Sequence, residues 1–397
     1  MHRILIVDDD VAVTNYFLVF FMQTDRFETE VVNDSTLVPE LLQLNRFDVI
    51  LLDMDMPGLS GMDILQLLKE RDDDTPVVVL TGVGDVDLAV RAMKLGAFDY
   101  LTKPADEDRL LGTLDAAIEH HAVRSGIAAM PTELDRKDLA EGEAFEHLPT
   151  SDPAMVRVLH QAERMAASDL TVFLLGERGV GKEAIARAIH RASRRRNGPF
   201  VALDASAMES DELAASLFGQ VRDWAGNRQD RPGFLEEAEG GTLFLDEVDV
   251  LPPPLQVRLK RLLQRGEFNR EASTQIRKAD VRVVAATTRD LAGDACPDFN
   301  RDLLYHLMVN SLVVPPLRDR PTDIPMLAEH FLKEEARAQG RGVTGFDPAF
   351  MDLLMAYDFP DNTQELRTIV SSALAAAEGP VIGPDAFPPA VRARIRS

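Results

Sequence analysis

Short apolar runs, closed by polar side chains, punctuate the first part of the chain. Residues 4–7 end in Asp8, Asp9 and Asp10; Val31 and Val32 mark a second run; residues 47–52 end in Asp53; residues 76–80 end in Thr81; and residues 98–101 lead to Lys103 and Pro104. Between the runs, apolar positions recur every three or four residues, as at Leu110, Leu111, Leu114, Ala117 and Ile118, which predicts helices. Unbroken apolar strands alternating with helices predict a parallel sheet covered on both faces. The alternation resumes downstream: residues 171–175, PFVALDAS, GGTLFLDEVDVLP and DVRVVAATTRD read as four more strands. From Asp323 the pattern is helical, with Pro321, Pro325 and Pro348 as punctuation, and residues 349–397 read as a small helical subdomain with a Pro-rich tail.

The fold class is therefore α/β, in a first domain at 1–121 and a second at 151–318, with a helical lid and tail at 319–397. The connector at 122–150 carries Pro, Gly and, in PTELDRKDLAEGEAFEHLPT, six acids against two bases. It reads as a mostly exposed linker with one or two helical turns. A helix running out of the first domain through His120 and His121 is a candidate dimerising element.

In a parallel sheet the residues at the carboxyl ends of the strands converge on one crevice. Here they are Asp8, Asp9, Asp53, Thr81 and Lys103. Three carboxylates at one edge repel unless a cation joins them, and Mg²⁺ suits oxygen donors. One carboxylate can then attack a phosphoryl group, while a hydroxyl and an ammonium hold the transferred oxygens. A lone Asp at a strand end is ordinarily just solvated; five polar groups, each ending its own strand, are not read that way.

The second domain opens with LTVFLLGERGVGKE, residues 170–183. A buried strand, a glycine-rich turn and a helix form a phosphate cradle. Gly176, Gly179 and Gly181 let backbone N–H groups turn inward and Lys182 adds a charge; Glu177, Val180 and Glu183 complete the loop. Asp246 and Glu247 end a later strand, where one acid can hold the magnesium–phosphate complex and the other polarise an attacking water. These predict binding of ATP or ADP with Mg²⁺.

Composition narrows the partners. A net charge of −23 over 397 residues argues against broad affinity for nucleic acid. The single cysteine, Cys296, permits no internal disulfide and fits a reducing compartment. The N-terminal apolar run is too short for a signal peptide and no run can span a membrane, so a cytoplasmic location is expected.

Residues 2–121 resemble a response-regulator receiver domain, through ILIVDDD, VILLDMDMPGLSGMDIL, VVVLTG and FDYLTKP. The resemblance implies a flavodoxin-like fold, Asp53 as phosphoacceptor from a sensor histidine kinase, Asp8 and Asp9 as helpers in magnesium binding, Thr81 and Lys103 as phosphate contacts, and Tyr100 as the aromatic that reorients. Residues 148–390 resemble the AAA+ domain of NtrC-type enhancer-binding proteins, through GERGVGKEAIARAIH, GPFVALDAS, GGTLFLDEV, LQVRLKRLLQRGEF, VRVVAATTRDL and VVPPLRDRPTDIPMLAEHF. This implies a P-loop α/β domain with a small α-helical lid, acting in transcription regulation. Glu183 in place of Ser or Thr is usual there.

Several positions depart from that family's pattern. The segment QVRDWAGNRQDRPGF lacks the GAFTGA loop that grips sigma-54 RNA polymerase, with Trp224, Ala225 and Gly226 a poor remnant. Asn300 and His306 occupy the places of two trans-acting arginines; Arg301 is adjacent, but one helical step turns a side chain by about 100°. Gln364 stands for the lid's sensor arginine, with Arg367 one turn away; Thr288 and Asp204 replace other polar residues. The chain stops after VIGPDAFPPAVRARIRS, where the family continues into a helix-turn-helix, so no direct DNA contact is expected; Arg392, Arg394 and Arg396 read as a solvated tail.

Three readings follow. One is a phosphorylation-controlled regulator that holds nucleotide but hydrolyses it slowly, as a homo-oligomer (dimer or ring) or in a hetero-oligomer with an intact relative. Another is a working ATPase that remodels sigma-54 RNA polymerase from solution. Action through another sigma factor is a third expectation.

Overall fold

In the computed structural model, residues 1–397 are described except for 83–85, 222–229, 292–295, 297 and 396–397. The chain divides into two units, Met1–Ala129 and Met130–Ser397.

In the first unit, β1 (His2–Val7), β2 (Phe27–Val32), β3 (Val49–Asp53), β4 (Val77–Thr81) and β5 (Asp99–Thr102) alternate with α1 (Val11–Thr24), α2 (Val38–Leu44), α3 (Gly61–Glu70), α4 (Val86–Leu95) and α5 (Glu107–Ala128). The five strands pair in parallel in the order β2-β1-β3-β4-β5. Every residue of β3 and β4 is buried, which explains their unbroken apolar runs. Ile4, Ile6, Leu51, Val78 and Leu80 pack on Phe17 and Phe21 of α1 and on Leu110 and Leu114 of α5. Helix α5 continues past residue 121 to Ala128, and His121 Nδ1 lies 3.0 Å from the Asp74 carbonyl oxygen.

The connector after α5 is mostly exposed, as expected, with a few anchoring apolar side chains. Two 3₁₀ turns, Arg136–Asp138 and Gly142–Phe145, bury Leu139, Ala144 and Phe145, and His160 Nε2 lies 2.9 Å from the Asp135 carbonyl oxygen. Apolar residues scattered singly among acids have no helical or strand period, so their burial left no periodic trace.

The second unit then runs α6 (Pro153–Ala166), β6 (Val172–Leu175), α7 (Lys182–Ala192), β7 (Phe200–Asp204), α8 (Ser210–Phe218), α9 (Phe234–Glu237), β8 (Thr242–Asp246), α10 (Pro253–Arg265), the hairpin β9 (Glu267–Phe268) and β10 (Arg277–Lys278), β11 (Arg282–Thr287), α11 (Arg301–Met308) and β12 (Ser311–Val313). Its parallel sheet has the order β12-β6-β11-β8-β7. Strand β12 was not expected: it has three residues, two of them exposed, too few to show a period.

The lid comprises α12 (Asp323–Gln339), β13 (Gly345–Phe346), α13 (Pro348–Met355), α14 (Asn362–Ala376), β14 (Val381–Ile382) and α15 (Pro389–Ile395). It has its own apolar core, with Leu332, Phe350, Phe359, Leu366, Val370 and Phe387 among its members. Among the described residues no helix is long and apolar enough to cross a membrane.

Candidate functional site

Two clusters form, one at the carboxyl edge of each main sheet. In the first unit β1 delivers Asp8, β3 delivers Asp53 and β4 delivers Thr81, all buried, while Asp9 is exposed. Oxygens of Asp8, Asp9 and Asp53 lie within 4.8 Å of one another. Lys103 bridges two of them, with Nζ 2.6 Å from Asp8 Oδ2 and 2.5 Å from Asp53 Oδ1. Burial pushes the Asp53 carboxyl above its ordinary range, an effect opposed by Lys103 and reinforced by Asp8. Burial works against the charge on Lys103, but the two carboxylates overcome it and hold its pKa above the ordinary value. The Thr81 hydroxyl donates to the Gly82 carbonyl at 3.1 Å. An all-oxygen donor set with three carboxylates fits a hard divalent cation such as Mg²⁺. Tyr100, on β5, is half-buried.

In the second unit β6 ends at the glycine-rich turn and α7 begins directly after it. Gly179 and Gly181 have φ of 74° and 104°, the left-handed region open to glycine. At Gly179 a Cβ would meet the Asp361 carbonyl oxygen at 2.1 Å, so the lid itself requires glycine there. Gly181 caps α7 without a side chain, which leaves the first N–H groups of the helix for an anion. Lys182 is buried, and its Nζ donates to the carbonyls of Gly176 and Glu177 at 3.0 and 3.3 Å. Val180 is buried beneath the loop.

Asp246 and Glu247 lie at the end of β8. Burial raises both carboxyls above their ordinary range, Lys182 pulls each back, and their mutual repulsion raises Glu247 further. Glu247 has φ of 51°, an uncommon backbone state for a side chain of this kind. Its Oε2 accepts from the Thr288 hydroxyl at 3.2 Å. The capless helix N-terminus, the buried lysine and the paired acids fit a magnesium-bound nucleotide phosphate.

Two loop carboxylates are committed elsewhere. Glu183 pairs with Arg187 at 2.6 Å. Glu177 accepts from Arg318 at 2.8 and 2.5 Å and from Asn362 Nδ2 at 3.2 Å. These contacts join the loop to the lid, as does Arg320, which donates to the Val180 carbonyl at 3.1 Å. Arg318, Arg320 and Asn362 were not singled out from sequence; Arg318 and Arg320 stand within the matched stretch VVPPLRDRPTDIPMLAEHF, which was their only signal.

The departing positions have other occupations. Asn300 caps α11, its Oδ1 accepting from Leu303 N–H at 2.9 Å, and His306 Nε2 lies 2.6 Å from Gln264 Nε2. Asp204 caps a 3₁₀ turn through Ser206 N–H at 2.9 Å. Arg367, one turn from Gln364, is drawn onto α12, where it donates to Glu335 at 3.1 Å and stacks over Phe331. Arg301 Nη1 donates to the Leu291 carbonyl at 3.2 Å. Trp224, Ala225, Gly226 and Arg396 lie outside the described residues.

Comparison with known proteins agrees with this architecture. Residues 4–115 match the response regulator receiver domain, residues 148–313 the sigma-54 interaction domain and residues 318–397 the AAA+ ATPase lid domain. The regulatory protein AtoC of Escherichia coli (strain K12) is 36% identical over 394 residues, 99% of this chain and 84% of AtoC. The C4-dicarboxylate transport transcriptional regulatory protein DctD of Pseudomonas aeruginosa is 41% identical over 322 residues, 80% of this chain and 69% of DctD. The crystal structure of NtrX from Brucella abortus in complex with ADP is 30% identical, with a TM-score of 0.57 over 98% of this chain and 85% of that one. NtrX in complex with ATP aligns with the same TM-score, 0.57. The chain therefore belongs to the NtrC-type two-component response regulators, with a receiver domain followed by a sigma-54-activator AAA+ domain and its lid.

Proposed function

We propose that this regulator takes a phosphoryl group on Asp53 from a sensor histidine kinase and thereby controls an AAA+ module that holds nucleotide and hydrolyses it slowly. In the receiver, Asp8, Asp9 and Asp53 would hold Mg²⁺, which would neutralise the incoming phosphoryl charge. Thr81 and Lys103 would contact the transferred oxygens, and Lys103, now shared between Asp8 and Asp53, is close enough to follow the new phosphate.

In the AAA+ domain the nucleotide phosphates would lie over Gly176–Lys182 and the N-terminus of α7, with Asp246 toward the metal and Glu247 toward a water. NtrX, the relative of similar architecture, has been crystallised with ADP and with ATP. The observation that carries slow hydrolysis is the employment of Asn300 as a helix cap, together with the engagement of His306 by Gln264 and of Arg367 by Glu335. An arginine finger is worth about 10³–10⁵ in phosphoryl-transfer rate, and neither an amide nor an imidazole offers its fixed, planar guanidinium fork. The module would then act in transcription regulation as a nucleotide-dependent assembly platform, as a dimer or ring or mixed with an intact relative that supplies the arginines. Equilibrium nucleotide binding combined with steady-state hydrolysis tests this reading. Binding with negligible turnover supports it; turnover like that of an ordinary family member refutes it.

The match of residues 148–313 to the sigma-54 interaction domain favours a second reading, an active ATPase that remodels sigma-54 RNA polymerase. A pull-down with sigma-54 polymerase, in the presence of ATP and a phosphoryl mimic, separates the two.

A further inference from the structure

Arg178 lies in the middle of the phosphate loop, and among the described residues its exposed guanidinium has no hydrogen-bond or ion-pair partner. The acids beside it do not compete for it: Glu177 is held by Arg318 and Asn362, and Glu183 by Arg187. The backbone at Arg178 is clamped to the lid. Its carbonyl accepts from Asn362 Nδ2 at 2.9 Å, and the Gly179 carbonyl accepts from Thr363 N–H at 3.0 Å and from the Thr363 hydroxyl at 2.5 Å.

The loop also fixes how far Arg178 is from the phosphate-binding ammonium. Lys182 Nζ lies 3.3 Å from the Glu177 carbonyl oxygen, and that carbonyl leads directly into Arg178. Standard backbone dimensions then put the Arg178 Cα within about 6 Å of the ammonium. An extended arginine side chain covers a similar distance, roughly 6–7 Å, so both cations can reach one phosphate chain.

We propose that Arg178 pairs with the terminal phosphate of bound ATP, so that the loop distinguishes a nucleoside triphosphate from a diphosphate and transmits the difference through Asn362 and Thr363 to α14. This rests on the nucleotide-holding reading above. It is consistent with slow turnover, because a contact made equally to the bound ground state and the transition state tightens binding without accelerating the reaction.

The test uses the full-length protein with Mg²⁺, titrated with fluorescently labelled ADP and with a labelled, non-hydrolysable ATP analogue. Arg178→Ala should weaken the ATP analogue about tenfold or more, the scale of a charge-assisted hydrogen bond, with ADP affinity changed less than about twofold. Arg178→Lys should recover part of the loss, since a point charge replaces the fork. An unchanged ratio of the two affinities in Arg178→Ala, or an equal loss for both, overturns the proposal while leaving the nucleotide-holding reading intact. Failure of the unaltered protein to bind either nucleotide overturns both.

Discussion

Asn362, fully buried at the first turn of α14, donates to the backbone carbonyl of Arg178 across 2.9 Å. The same side chain accepts from Leu317 N–H at 2.7 Å, so one amide ties the phosphate loop, the approach to the lid and the lid helix together. Its φ of 50° is a backbone state that Asn tolerates better than Ala. Arg318, which grips the same loop through Glu177, is 41% exposed at its side chain. Asn362→Ala is therefore expected to destabilise the second unit by about 2–4 kcal/mol through lost buried hydrogen bonds and backbone strain. Arg318→Ala should cost less than about 1 kcal/mol. Urea denaturation of the two variants checks the order; equal effects contradict it.

At the receiver site Lys103 neutralises two buried carboxylates. Removing its charge by Lys103→Met leaves Asp8 and Asp53 facing each other without a cation. With the lysine partly exposed, the expected loss is about 1–3 kcal/mol, less than for a fully buried pair. Added Mg²⁺ should restore much of it by binding the same acids. Thermal unfolding with and without Mg²⁺ measures this; the same magnesium stabilisation in variant and parent would argue against a shared cluster.

His190 carries a pH dependence of the second unit. It is buried, Nδ1 lies 2.9 Å from the Thr242 hydroxyl, and its ring packs edge-on against Phe200. Burial pushes its pKa below the ordinary value, the Gly198 carbonyl opposes this, and repulsion from Arg282, Arg191 and Arg187 adds to it. The unfolded chain therefore binds the proton more readily. Stability is fully present above the unfolded pKa of about 6.5 and falls as pH drops through it. Denaturation midpoints at pH 7.5 and pH 5.5 should differ in that direction, and His190→Gln should reduce the difference.

Restoring arginines tests the account of slow hydrolysis. His306→Arg with Asn300→Arg should raise turnover in the assembled protein by at least about tenfold, a fraction of what a fully positioned finger supplies. It should also cost about 1 kcal/mol of stability, because Asn300 caps α11. Turnover that does not respond, in a variant that still assembles and binds nucleotide, would show that the missing guanidinium is not what limits the rate.

Both parallel sheets were readable from sequence because their central strands are buried on both faces and so are mostly apolar; β3, β4, β8 and β11 are the plainest cases. The site residues followed from topology, since Asp8 and Asp53 stand at the carboxyl ends of strands in the first sheet and Asp246 at the carboxyl end of a strand in the second. The lid clasp was not readable. Glu177 and Arg318 are separated by 141 positions, and nothing local marks them as partners. Strand β12 and the buried anchors Leu139 and Phe145 of the otherwise exposed connector escaped because neither segment is long enough to display a period. The engagement of Arg367 was not readable either: spacing along α14 brings it near Gln364, but Glu335 and Phe331 on α12 decide where it points.

The most direct test of the central claim is nucleotide occupancy and turnover measured on one sample: the full-length protein, phosphorylated at Asp53 and assembled, with Mg²⁺ and labelled ATP. The account predicts that ATP binds stoichiometrically and is released largely uncleaved, with hydrolysis far slower than about 1 s⁻¹, the low end of usual enzyme turnover. Turnover at or above that rate, from this chain alone, would contradict it.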